Sequence, residues 1–66
     1  MSVAKVIEIK ASSSKSFDDA VAQGIARATD SLDDVSGAWI QDQQVSVSGG
    51  KITEYRVTLK VTFVLK

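Results

Sequence analysis

The spacing of hydrophobic residues changes twice along the chain, from alternation to a three-and-four repeat and back to alternation. The first segment, Val3-Ala4-Lys5-Val6-Ile7-Glu8-Ile9-Lys10, is rich in β-branched residues, with Val3, Ile7 and Ile9 on one side and Val6, Glu8 and Lys10 on the other. It predicts a strand. Ala11-Ser12-Ser13-Ser14-Lys15-Ser16 follows, a run of small hydroxyl residues suited to a turn and a helix cap; it lacks the glycines of a phosphate-binding loop. Ser16 is the expected N-cap, with Asp18 and Asp19 in the first turn and Asp19 placed for a weak capping box. Phe17, Val21, Ile25, Ala28 and Leu32 then form one helical stripe, which predicts an amphipathic helix of about four turns. Ala20, Ala22 and Ala26 raise its propensity. Gly24 lowers it by about 1 kcal/mol relative to alanine, and so marks a close approach of another backbone.

Asp30-Ser31-Leu32-Asp33-Asp34-Val35-Ser36-Gly37 ends the helix, yet Asp30, Asp33 and Asp34 sit against the negative end of its dipole. Either this is a solvated acidic corner, or a cation or a basic surface of a neighbouring subunit sits there. Alternation resumes over Ala38–Ser48, Gly49-Gly50 is a two-residue hairpin signal, and a third strand follows with Val57, Leu59, Val61, Phe63 and Leu65 on one parity. The predicted fold is α+β in the order β-α-β-β, a three-stranded antiparallel sheet packed on one amphipathic helix, as a single domain over residues 1–66. The second strand alternates imperfectly, because Trp39, Gln41 and Gln43 share a parity with Val45 and Val47. A bulge between Trp39 and Val45 removes the conflict and turns Trp39 to the face away from the helix. An aromatic on an uncovered sheet face meets a partner or binds a flat ligand.

Composition narrows the chemistry. With neither Cys nor His in 66 residues, a disulfide framework, thiolate or imidazole zinc, nucleophilic catalysis through Cys, a Ser-His-Asp triad and histidine acid–base catalysis are all excluded. An enzyme is not expected. A chain of this size covers too little of its own surface to be comfortably stable, and oligomerisation is the remaining route to stability. Eight basic and eight acidic residues give no net charge, and hence no electrostatic case for nucleic acid. No apolar run is long enough for a membrane span, and Met1-Ser2-Val3-Ala4-Lys5 lacks the apolar stretch of a signal peptide, so a cytoplasmic location is the expectation.

Several features together carry a family resemblance. These are the β-α-β-β order, Val6-Ile7-Glu8-Ile9 followed by Ser12-Ser13-Ser14, Ala26-Arg27-Ala28, the strand opening at Trp39, and Glu54-Tyr55-Arg56-Val57-Thr58-Leu59-Lys60-Val61-Thr62-Phe63-Val64-Leu65. Over essentially its whole length the chain resembles the dodecins, small flavoproteins that assemble as hollow dodecameric shells. The resemblance implies a homododecamer that stores FMN or riboflavin, with Trp39 and its symmetry mate sandwiching the stacked flavins. It also implies departures. Arg56 stands where the family usually has a glutamine, and a guanidinium donates hydrogen bonds but cannot accept one from the flavin imide N–H. Gln41, Gln43 or Gln44 could supply that acceptor. The connection from Trp39 to Tyr55 is also shorter than in familiar flavin-binding members. Lys5, Lys10 and Lys60 are either phosphate partners or plain solvated strand lysines. The alternative function is a structural or ion-binding shell of the same fold that takes no flavin.

Overall fold

The computed structural model describes residues 3–65, so Met1 and Ser2 of the expected leaderless N-terminus lie outside the described residues. Strand β1 (Val3–Ser13), helix α1 (Phe17–Ser31), strand β2 (Val35–Ser48) and strand β3 (Lys51–Leu65) follow in the predicted order. All pairing is antiparallel, and β3 lies in the centre of the sheet between β1 and β2. Both flanking strands therefore expose one edge.

One face of β3, formed by Val57, Leu59 and Val61, is fully buried, because these residues meet Ala11, Ile9 and Ile7 of β1 in register and the helix lies over them. The helix contributes Ala20, Gly24 and Ala28 as its most buried positions, with Phe17, Val21, Ile25 and Leu32 packed around them. The expected stripe of larger side chains is thus the flank of the contact rather than its centre. Small residues at the centre let the helix approach the sheet closely, and a Cβ on Gly24 would lie 2.9 Å from Leu59 Cδ1 and 3.1 Å from Ala11 Cβ. Phe17 also meets Tyr55 of β3 edge-to-face, with ring centroids 5.1 Å apart.

Strand β1 continues to Ser13 instead of yielding to a loop after Lys10, because Ala11, Ser12 and Ser13 keep pairing with Val57, Arg56 and Tyr55. Ser16 caps the helix, its side chain accepting from the Asp19 N–H at 3.0 Å. The Asp19 carboxylate does not complete a capping box. Its Oδ2 accepts instead from Ser13 Oγ and from Gln23 Nε2, both at 2.6 Å, while Ser13 Oγ accepts from the Lys15 N–H. The Ser13 hydrogen bond, supported by Gln23 and the nearby Lys15 and opposed by partial desolvation, lowers the Asp19 pKa from its ordinary value.

At the other end of the helix, Asp34 adopts the left-handed region, φ 58°, and its carbonyl accepts from the Val64 N–H. This reversal starts β2 at Val35, earlier than the alternation suggests. Gly49 and Gly50 both have positive φ, as a tight two-residue hairpin of this type requires. The hairpin extends past the helix, giving the chain an extent of 51 Å and leaving Val45, Val47 and Ile52 exposed. No helix among the described residues is long and apolar enough to cross a membrane.

Candidate functional site

The register of β2 decides which of its side chains share a face. Ile40 pairs with Leu59, but Asp42 pairs with Thr58, so Gln41 falls in a bulge without a cross-strand partner. This is the irregularity that the pattern of β2 requires, and it turns Trp39 away from the helix. Trp39 stands opposite Lys60 on the uncovered face and is 53% exposed, while its neighbour Ile40 faces the helix side with Leu59.

Three successive rungs then cross the open face. Glu8, Lys60 and Trp39 make the first, Lys10, Thr58 and Asp42 the second, and Ser12, Arg56 and Gln44 the third. Thr58, in the middle of the central strand, is buried despite lying on this face. A shallow cleft of about 290 Å³ opens beside it, lined by Lys10, Ser12, Gln44, Arg56 and Thr58. At about 3.3 Å of rise per residue, the Trp39 rung and the Arg56 rung are about 13 Å apart at the backbone.

Of the expected site residues, Trp39, Gln44 and Arg56 come onto one face, and Gln44 pairs directly with Arg56. Gln43 does not join them. It pairs with Val57 and so projects to the helix side. Lys5 is separated from Lys10 and Lys60 in the same way, because it pairs with Phe63. Arg56 carries its own counter-ion, its Nε lying 2.8 Å from Glu54 Oε1, and Lys60 Nζ lies 3.0 Å from Glu8 Oε1. Periodicity alone gives no sign of either ion pair, since each depends on register or on the i, i+2 geometry of a strand. At the acidic corner, no group of three carboxylates among the described residues converges as a metal site.

Flat aromatic surface, a mixed donor and acceptor pair, and a balanced set of charges are what this face offers. A planar ring stacked on the indole would find hydrogen-bonding groups toward the Gln44–Arg56 rung, while the Lys60 ammonium on the Trp39 rung is turned to Glu8.

A family model of the dodecins matches residues 3–66. A calcium dodecin of Mycobacterium tuberculosis is 45% identical over 67 residues, covering 100% of this chain and 93% of that protein. The crystal structure of calcium dodecin from the same organism, described as calcium-chelating and as having a calcium-binding site, superposes with a TM-score of 0.83 at 40% identity, over 97% of this chain and 91% of that one. A dodecin from Streptomyces davaonensis superposes with a TM-score of 0.93 at 28% identity, over 98% and 96% of the two chains.

Proposed function

The chain belongs to the dodecin family, and from that premise we propose that it is a non-catalytic flavin-binding protein that works as a homododecamer. The observation that carries this reading is the exposed indole of Trp39 on the uncovered sheet face, with Gln44 and Arg56 on the same face. Indole is flat and electron-rich, so it stacks on the electron-poor oxidised isoalloxazine and quenches its fluorescence by donating an electron to the excited state. FMN and riboflavin share this ring. Arg56 donates to ring carbonyl oxygens and Gln44 accepts from the imide N–H, which together replace the single glutamine usual in the family. A second copy of Trp39 closes the sandwich and keeps water and substrates from the ring. The function is storage and protection rather than turnover.

Assembly follows from what one chain leaves uncovered. Trp39, Ile40, Val45, Val47 and Ile52 are all substantially exposed, and both sheet edges are open. Light scattering of the purified protein is expected to give about twelve times the 7.0 kDa chain mass. A mass near one chain at micromolar concentration contradicts this.

A calcium-binding shell is the second reading, favoured by the 45% identity to a calcium dodecin. Because no group of three carboxylates converges among the described residues, the site we place at the Asp30, Asp33 and Asp34 corner draws oxygen ligands from a neighbouring copy. Titrating riboflavin and calcium separately into the chelator-treated assembly distinguishes the two. Quenching of riboflavin fluorescence supports the first reading. Calcium-dependent heat and a raised melting temperature, with riboflavin fluorescence unchanged, support the second.

A further inference from the structure

We propose that Lys60, held by Glu8, is the specificity-determining residue that decides how far this face accepts an aromatic ring carrying negative charge. The inference rests on reading Trp39 as the stacking surface. Glu8, Lys60 and Trp39 are consecutive members of one rung, and the Lys60 ammonium lies 3.0 Å from Glu8 Oε1. Lys60 is the immediate neighbour of the indole, whereas Glu8 is one strand further off, about 10 Å from Trp39 at the backbone. The pair is therefore an oriented dipole across the rung, with its positive member on the strand next to Trp39 and its negative member one strand further away.

The rest of the face does not mask this dipole. On the next rung Lys10 and Asp42 flank Thr58 from opposite sides, and beyond it Arg56 pairs with Glu54. Three cations and three carboxylates thus occupy the face, with no net charge to swamp the local arrangement. In the open chain the Lys60 side chain is 31% exposed and its field is screened by water. A ring lying over the rung displaces that water, and the interaction between the ammonium and the ring strengthens.

This matters because the two common forms of a flavin differ in charge. Oxidised riboflavin is neutral, while the hydroquinone ionises to an anion near neutral pH. The hydroquinone is also electron-rich, so it stacks less well on indole. Lys60 offsets part of that loss, and Glu8 limits how much. No electron transfer by the protein is involved, since the difference lies only in binding.

The test is a titration of the assembly with oxidised riboflavin and, anaerobically, with dithionite-reduced riboflavin at pH 8, read by the emission of Trp39, the only tryptophan. Lys60→Gln is expected to weaken reduced relative to oxidised riboflavin by about three- to tenfold, Glu8→Gln to strengthen it by about the same factor, and Lys60→Arg to behave as the parent protein. Oxidised riboflavin should bind all of these within about twofold of the parent protein. If neither Gln variant moves the ratio while oxidised riboflavin still binds, this inference falls and the flavin reading stands. If Lys60→Gln weakens both forms equally, Lys60 only supports the sheet and the inference is overturned. If the parent protein takes up neither form, the flavin reading falls and this inference with it.

Discussion

Gln44 lies directly across from Arg56 in the β2–β3 ladder, on the same open face as Trp39. That pairing puts an acceptor beside a group that can only donate. Replacing Gln44 by leucine keeps an aliphatic side chain of roughly similar bulk and removes the acceptor, leaving the flavin imide N–H desolvated without a partner. Affinity for oxidised riboflavin is expected to fall by about 1–2 kcal/mol, or roughly five- to thirtyfold. Gln43→Leu, on the opposite face, is expected to leave it unchanged. Equal effects of the two substitutions in a fluorescence titration would remove the Gln44–Arg56 rung from the site.

Gly24 is where the helix comes closest to the sheet. An alanine there gains about 1 kcal/mol of helix propensity but forces its methyl against Leu59 and Ala11, and overpacking of a tight core costs about 1–3 kcal/mol. The expected net result is a loss of up to about 2 kcal/mol, measured by denaturant unfolding. A gain in stability would show that the Leu59 side chain can move aside at little cost.

The depressed pKa of Asp19 fixes how the helix start responds to acid. Its ordinary value is 3.8 and its folded value is lower, so the hydrogen bonds from Ser13 and Gln23 contribute stability that is fully present above about pH 4 to 5. That contribution declines as pH falls through the folded value. Melting temperature recorded from pH 7 to pH 2.5 is expected to drop more steeply for the parent protein than for Asp19→Asn below pH 4. Parallel curves would mean that the Ser13–Asp19 contact does not matter to stability.

Much of this was legible in the sequence, for reasons specific to particular residues. The helix and β3 are readable because their apolar spacing is unambiguous, and the Gly49-Gly50 turn because few other dipeptides tolerate that backbone. Even the bulge is readable, because the uncorrected alternation of β2 would set Trp39 and two glutamines against the core. The placement of that bulge at Gln41 is not readable, and on it depends which glutamine reaches the site. The central role of Ala20 is hidden for a related reason. Small residues carry little weight in a hydrophobic pattern, yet they set the closest approach of helix to sheet. The Asp19 carboxylate is drawn from its expected capping role by Ser13, which comes within reach only because β1 runs on to meet Tyr55.

The central claim, that Trp39 is the stacking surface for a flavin, is tested most directly by titrating FMN and riboflavin into the purified assembly and into its Trp39→Ala variant. The parent protein is expected to quench both flavins. The variant is expected to keep its oligomeric mass and lose most of the affinity, at least the roughly 1–3 kcal/mol that an aromatic stacking contact contributes. Undiminished binding and quenching by Trp39→Ala, or no quenching by the parent protein at all, would contradict the claim and leave the calcium-binding shell as the better account.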